Sequence, residues 1–480
     1  MREIIANTYI FYCGIIFMNM KQIKELVLAK IRPPKEEETK LNNFLRDLIT
    51  TAKIISGLDV VVCGSTGKGD WLSGDHDIDL FIMFPKNTSR EKLEDLGLLY
   101  GKQVAKDMHG EAHTEFAEHP YTCVKINEYD IDIVPCYRIK PGEKIKSAVD
   151  RSPLHLHYII NKFDDKLRDE TRLLKQFMKG IGVYGSDVKT EGFSGYICEL
   201  LISQYGSFES VLKAAAKWQA PQIIVLKGKP SKVRLVKKFD GKPLIFIDPV
   251  DKERNVAAVI SVEKFFEFVK KSRDFINDPS PEYFFKQQPR VLSAEQERSL
   301  KERQTKFIAI VSEKPDIIDD IAYPQFRRAQ KRLLSLLREN EFVVLRSYVA
   351  GLENEKKMAI IIELEVWSLP KIKKMPGPYV WSSRHVKEFL KKYSVPDFGP
   401  YIEGKAWVVD KKRSFPDVSH LLKDFLSQMP EELVKHGIPE QISSSMFKAS
   451  FLEHDEFWSL VRSNQEFSDF LRIKYFERMN

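Results

Sequence analysis

Cys63-Gly64-Ser65-Thr66-Gly67-Lys68-Gly69-Asp70-Trp71-Leu72-Ser73-Gly74-Asp75-His76-Asp77-Ile78-Asp79-Leu80-Phe81-Ile82-Met83-Phe84-Pro85 begins as a glycine cluster and ends as an alternating strand. The preceding Val60-Val61-Val62 is an apolar run that reads as a buried strand. The glycines predict a turn over 64–69, in which backbone N–H groups can face an anion without a side chain in the way. In the following strand Asp77 and Asp79 share one face, while Ile78, Leu80 and Ile82 take the other. An Asp-x-Asp pair alone fits a solvated strand end equally well. The glycine turn before it and the apolar alternation after it favour a site. Two carboxylates on one rigid face beside an anion cradle suit two divalent cations and a nucleoside triphosphate.

Glu128-Tyr129-Asp130-Ile131-Asp132-Ile133-Val134-Pro135 is another alternating strand, with Asp130 and Asp132 on one face. As a neighbour it would bring one of them beside Asp77 and Asp79, and spacing leaves open which. The pattern Gly64-Ser65, Trp71-Leu72, Asp77-x-Asp79 and Asp132-x-Val134-Pro135-Cys136-Tyr137 resembles a nucleotidyltransferase of the polymerase-beta superfamily. More narrowly, the chain resembles the archaeal-type (class I) CCA-adding enzymes, tRNA nucleotidyltransferases that build the 3′ CCA end of tRNA. Supporting stretches are Ala117-Glu118-His119-Pro120-Tyr121, Arg172-Leu173-Leu174-Lys175, Val183-Tyr184-Gly185, Gly192-Phe193-Ser194-Gly195-Tyr196, Asp248-Pro249-Val250-Asp251 and Arg254-Asn255-Val256-Ala257-Ala258. The likeness runs from about residue 20 to about residue 415. The head motif is common to the superfamily; the later ones, in this order, are far more specific.

At 480 residues the chain is too long for one ordinary domain, and an apolar content of 43% is globular. The formal net charge of +8 suits a polyanionic partner only weakly, but the 76 lysines and arginines are spread along the chain, as a long binding track requires. Five scattered cysteines without a Cys-x-x-Cys indicate neither a disulfide framework nor a zinc site, and fit a reducing cytoplasm. The apolar stretch within residues 1–20 is too short to span a bilayer and lacks the marks of a signal peptide. We read 1–20 as a non-native extension, with Met18 or Met20 as the true start. No other stretch suits a membrane span.

The expected fold class is α+β and multidomain: a polymerase-beta-like head, a mainly helical neck, a ferredoxin-like or RNA-recognition-motif-like body and an α/β tail. Residues 21–150 form the catalytic head, with helices near 37–56 and 89–108. Residues 151–289 form the neck, with a short β excursion near 233–248. Arg151-Ser152-Pro153 has the look of a helix start capped by Ser152. In the next helix Leu167, Thr171, Leu174, Phe177 and Met178 make an apolar stripe, with Lys175 near its edge. Arg254 is expected to open a helix after a turn at 248–250, and a surface pair with Asp251 is the plain alternative for it. Residues 290–369 form the body, where a β-α-β-β order is legible. It lacks the aromatic signature that stacks bases. Residues 370–415 form a tail, in which Pro376-Gly377-Pro378 and Gly399-Pro400 read as turns bracketing a lysine-rich helix. Residues 416–480 read as amphipathic helices packing on the body.

The resemblance implies that Asp77, Asp79 and Asp132 are catalytic and hold two Mg²⁺ ions. It implies that Gly64, Ser65, Lys68, Lys175 and Tyr184 contact the triphosphate, and that Glu118, His119, Ser152, His155 and Arg254 line the nucleotide. Many relatives carry arginine where Lys68 stands, so the bidentate phosphate contact is lost here. The implied partners are CTP, ATP and tRNA, the latter gripped at its acceptor stem and T arm; oligomeric state, a homodimer included, is not set by the sequence. Two rivals stand beside this reading. One is a poly(A) polymerase-like or other nucleotidyltransferase on the same head. The other is a catalytically inactive RNA-binding protein, which the presence of all three aspartates disfavours. A P-loop is excluded, because Gly67-Lys68-Gly69 is not followed by serine or threonine after the lysine.

Overall fold

The computed structural model describes residues 18–116, 118–285, 290–394 and 398–476; most of the extension expected over 1–20 lies outside the described residues. The chain divides into two compact units, Met1–Gln287 and Gln288–Asn480.

The first unit opens with α1 (Met20–Ile31), where Asn19 and Gln22 satisfy each other's backbone N–H groups, and α2 (Lys35–Ser56), which ends on a left-handed Gly57. Then come β1 (Asp59–Val62), α3 (Gly64–Lys68), β2 (Asp77–Phe84), α4 (Arg90–Asp107), β3 (Glu111–Phe116), β4 (Pro120–Ile126) and β5 (Tyr129–Tyr137). The sheet order is β1-β2-β5-β4-β3, and only β2 and β5 run parallel. Its inner face, with Ile78, Leu80, Ile82, Val124, Ile131 and Ile133, shares a core with Leu41 and Leu48 of α2 and Leu93 and Val104 of α4. The expected turn at 64–69 is instead the short helix α3. Thr66 and Lys68 are buried there, and the Thr66 hydroxyl donates to the Asp77 carbonyl at 2.8 Å, which ties the helix to β2.

Beyond the sheet lie α5 (Arg151–Ile160), α6 (Asp165–Gly180), α7 (Gly195–Tyr205), α8 (Phe208–Ala215), β6 (Gln222–Val225), α9 (Lys232–Lys238), β7 (Leu244–Ile247) and α10 (Val262–Asn277). Their core includes packed rings of Phe177, Phe208, Phe275 and Phe284. Three local expectations are corrected. The first part of the β excursion expected near 233–248 is α9, because Ser231 caps it and Leu235 faces inward among exposed lysines; within that range only β7 is strand, paired in parallel with β6. Ser152 is not the cap of α5, since the Asp150 carboxylate accepts from the Ser147 amide at the preceding 3-10 turn and the chain runs straight on into the helix. Arg254 opens no helix: α10 begins at Val262, capped by Ser261.

The second unit contains α11 (Ala294–Glu302), β8 (Lys306–Glu313), α12 (Asp319–Glu339), β9 (Val343–Leu352) and β10 (Lys357–Val366). Next are β11 (Ile372–Tyr379), α13 (Ser383–Lys392), β12 (Phe398–Glu403) and β13 (Ala406–Lys412). The chain continues with α14 (Val418–Leu426), α15 (Pro430–Lys435), α16 (Glu440–Phe447), β14 (Ser450–Glu453), α17 (His454–Ser463) and α18 (Gln465–Tyr475). The antiparallel order β14-β8-β10-β9 is that of a ferredoxin-like half-sandwich whose fourth strand arrives late. The proline–glycine stretches of the tail lie in strands, not turns: β11, β13 and β12 form a three-stranded sheet. Register slips at Pro376 and between Phe398 and Tyr401, where prolines cannot donate to the ladder. Among the described residues no helix is long and apolar enough to cross a membrane.

Candidate active site

The parallel pairing of β2 with β5 sets the centre of the site. Its register puts Asp77 opposite Asp130 and Asp79 opposite Asp132. Asp130 is exposed and pairs with Lys125 at 2.7 Å, whereas Asp132 is half-buried between the two β2 carboxylates and the Cys123 thiol. Burial, then the neighbouring Asp132, pushes the Asp79 carboxyl up to about 6, against the pull of the Lys68 ammonium. Burial likewise raises Asp132. The backbone comes very close here. Gly64 has φ of +61°, and a Cβ on it would stand 2.0 Å from Asp79 Oδ2. Ser65, half-buried, follows it in α3.

Behind α3 is a buried knot of charge. Lys68 Nζ lies 2.8 Å from Glu199 of α7, and Lys175 Nζ of α6 lies 2.9 Å from Asp70 and 3.9 Å from Glu199. Lys175 is buried on all sides rather than at the edge of a stripe, since α6 also buries Glu170, Thr171 and Arg172. Burial alone would lower its ammonium, but Asp70, Tyr184 and Glu199 hold it above its ordinary value. Burial pushes Glu199 up to about 7 even with Lys68 opposing. Tyr184 is part of this knot: Gly195 has no side chain where the Tyr184 hydroxyl and the Lys175 chain converge. Lys68 and Lys175 are thus committed to internal partners.

A second cluster surrounds Asp248, which is fully buried at the end of β7. It accepts from Arg254 Nη1 at 2.9 Å, from the Tyr196 hydroxyl at 3.3 Å and from the Val250 amide at 3.0 Å, and it meets His155 Nε2 at 2.9 Å. His155 stacks on Tyr196 at 3.8 Å between centroids. Burial lowers the His155 imidazole from its usual value, while its bond to Asp248 opposes this. Asp251 pairs with Arg151, not with the Arg254 side chain, so the simple surface pair is not what forms. The Arg254 guanidinium remains 37% exposed while its partner is not, which leaves it able to present donors outward.

Glu118 and His119 take a different position from the three aspartates. His119 is buried with Nδ1 3.0 Å from Glu94, and the Glu118 carboxylate accepts from the Ala148 amide. Arg90 donates to the Glu118 carbonyl at 2.7 Å. These contacts tie the β3–β4 connection to α4 and to the turn before α5. Ser152 is half-buried within α5.

Sequence reasoning gave no role to Asp70, Glu199, Arg168 or to the side chain of Arg172. Arg168 Nε donates to the Lys68 carbonyl at 3.1 Å; Arg172 donates to the Gly69 carbonyl at 2.6 Å and to the Trp71 carbonyl at 2.9 Å. The two arginines of α6 therefore hold the segment leaving α3. Glu199 could have been noticed as a lone charge within the apolar run of α7, whereas nothing in the spacing joins Arg172 to residue 69.

Three family models match successive parts of the chain: a nucleotidyltransferase domain over residues 39–155, the second domain of tRNA nucleotidyltransferases over 169–285, and the C-terminal domain of CCA-adding enzymes over 303–448. The CCA-adding enzyme of Methanosarcina mazei is 36% identical over 464 residues, covering 94% of this chain and 98% of that one. That of Methanocaldococcus jannaschii is 38% identical over 430 residues, covering 86% and 92%. Among solved structures, the Cid1 poly(U) polymerase with Mg and 3′-dATP bound is 16% identical, covering 55% of this chain and 98% of that one, with a TM-score of 0.45. A nucleotidyltransferase head, its companion second domain and the C-terminal domain follow in one chain, alongside relatives matched over nearly their whole length, and so the chain belongs to the archaeal-type CCA-adding enzyme family.

Proposed function

We propose that this chain adds C, C and A to the 3′ end of tRNA from CTP and ATP, without a nucleic-acid template and with release of pyrophosphate. The observation that carries the chemistry is the β2–β5 register, which sets Asp132 beside Asp79 on the face that also holds Asp77. Like charges at that spacing, with Asp79 raised to about 6 and the nearby Lys68 already paired, form a set that a divalent cation would satisfy. Asp77, Asp79 and Asp132 would hold two Mg²⁺ ions. When bound, such ions supply charge to the triphosphate and lower the pKa of the attacking 3′ hydroxyl.

The chain's own residues then have separable tasks. Gly64 lets the backbone approach the carboxylates, and Ser65 with neighbouring amides would face the triphosphate. Tyr184, Lys68 and Lys175 support this segment from behind, with the Lys68 charge acting on Asp79 through space. His155, Ser152 and Arg254 would line the nucleotide, with Arg254 steadied by Asp248 so that its remaining N–H groups can bond base edges. Glu118 and His119 would brace the wall of that pocket.

The tail would hold the acceptor stem and T arm by phosphate contacts and shape. In favour of this, Arg384, Lys387, Lys391 and Lys392 are exposed on α13, near an exposed Tyr379–Trp381 stack with centroids 4.8 Å apart. The test is a product ladder on tRNA lacking CCA, with Mg²⁺ and CTP alone, ATP alone or both, beside Asp79→Ala. Two C additions with CTP alone, a completed CCA with both, and no product from the variant are expected. A run of A from ATP alone would replace this reading with a poly(A) polymerase, and binding without addition would leave a scaffold protein.

A further inference from the structure

We propose that His113, Glu115 and Cys123 form a cation site of the zinc class at the outer edge of the head sheet, next to Asp132 through the Cys123 thiol but not including Asp77 or Asp79. Strand geometry assembles it. His113 and Glu115 are two residues apart on β3 and share a face, and Cys123 of β4 lies directly opposite His113. One ligand atom from each lies within 4.8 Å of the other two, close enough to meet around one ion. The register continues inward from Cys123 to Asp132 and from Asp132 to Asp79, so one row crosses four strands on the open face.

The two ends of that row differ in chemistry. The inner end offers oxygen alone, which suits a hard cation such as Mg²⁺. The outer end offers imidazole, thiol and carboxylate, a set that favours zinc, cobalt and similar ions over magnesium. Three protein ligands leave a coordination position for water, and β3 is an edge strand with His113 and Glu115 exposed, so an ion has access. Glu115 is also held in place. It accepts from the Tyr121 hydroxyl at 3.0 Å and lies 3.3 Å from His113 Nε2. Tyr121, which is not one of the three ligands, is the kind of outer partner that fixes the orientation of a ligating carboxylate. Binding would release the thiol proton of Cys123 to solvent.

Cobalt is the probe, because a cobalt–thiolate bond gives a charge-transfer absorption in the near ultraviolet. The full chain, freed of metal and kept without nucleotide, is titrated with Co²⁺ under excess Mg²⁺. The band should appear and saturate at one ion per chain. Cys123→Ser should abolish it, and His113→Ala should weaken binding by about tenfold or more. Asp79→Ala should leave it in place, which separates this site from the catalytic one whether or not that reading survives. Far-ultraviolet circular dichroism of each variant checks folding, and the exposed His113 gives a variant that does not depend on a buried position. No thiolate band, a band that persists in Cys123→Ser, or one lost in Asp79→Ala would each overturn the proposal.

Discussion

Gly64→Ala tests whether the closeness of backbone and carboxylate matters to the reaction. Two costs are built into this change. The left-handed backbone at φ +61° disfavours any Cβ by roughly 1–2 kcal/mol. The added methyl would also stand 2.0 Å from Asp79 Oδ2 and 3.1 Å from its Cγ. Ordinary contact needs about 3.5 Å, so the carboxylate must retreat by roughly 1.5 Å. Misplacing a reacting group by that much costs about a hundredfold in rate. Gly57→Ala separates the two costs, because Gly57 has nearly the same φ, +64°, and open space where the methyl would go. Both variants should lose about 1–2 kcal/mol in urea unfolding. Only Gly64→Ala should lose kcat for C addition, by about a hundredfold, with KM for CTP changed far less. Full activity in Gly64→Ala, or an equal loss in Gly57→Ala, would refute the argument.

Four further outcomes follow from the same geometry. Asp79 is raised in the fold, so its contribution to stability is present below the ordinary carboxylate range and lost as pH rises through about 6. Metal-free Asp79→Asn should therefore be more stable than the parent at pH 8 by about 2–3 kcal/mol, with no gain at pH 4 in parallel melts; an equal gain at both would refute this. By the same sign, divalent cations should bind more weakly as pH falls through about 6, read by titration calorimetry. Glu199→Gln strands the buried Lys68, while Lys175 keeps Asp70, and should cost about 3–5 kcal/mol in urea unfolding; a loss under about 1 kcal/mol would mean the knot is not ionised as drawn. Arg172→Lys cannot span both carbonyls at once and should cost about 1–3 kcal/mol, with kcat falling more than nucleotide affinity.

The alternation of Asp77 and Asp79 with Ile78, Leu80 and Ile82 was legible because a strand has a period of two, and an apolar face must be covered. The β-α-β-β order of the body was legible for the same reason of pattern. Which carboxylate of β5 joins Asp79 was not, because a register of pairing is a fact about two strands, and neither strand records it alone. Lys175 was misjudged at the edge of α6 because a lysine inside a helix reads as solvated until its partners, Asp70 and Glu199, are brought in from distant segments. Pro376 and Pro400 suggested turns because proline punctuates most chains; in a small sheet they sit where the ladder slips and no N–H is needed. The His113–Glu115–Cys123 cluster has no spacing signature, since its thiol comes from across a strand pair.

The body's sheet is completed by a strand made long after the others. β14 spans Ser450–Glu453, whereas its neighbour β8 is Lys306–Glu313, and the whole tail is made between them. During synthesis the ribosome must deliver about 140 residues after β8 before that edge is covered. Until then β8 offers an open strand with seven consecutive buried positions, the kind of edge that pairs with other chains. A chain cut just short of β14 would keep this flaw permanently. β14 thus closes part of an edge on which other chains would otherwise pair.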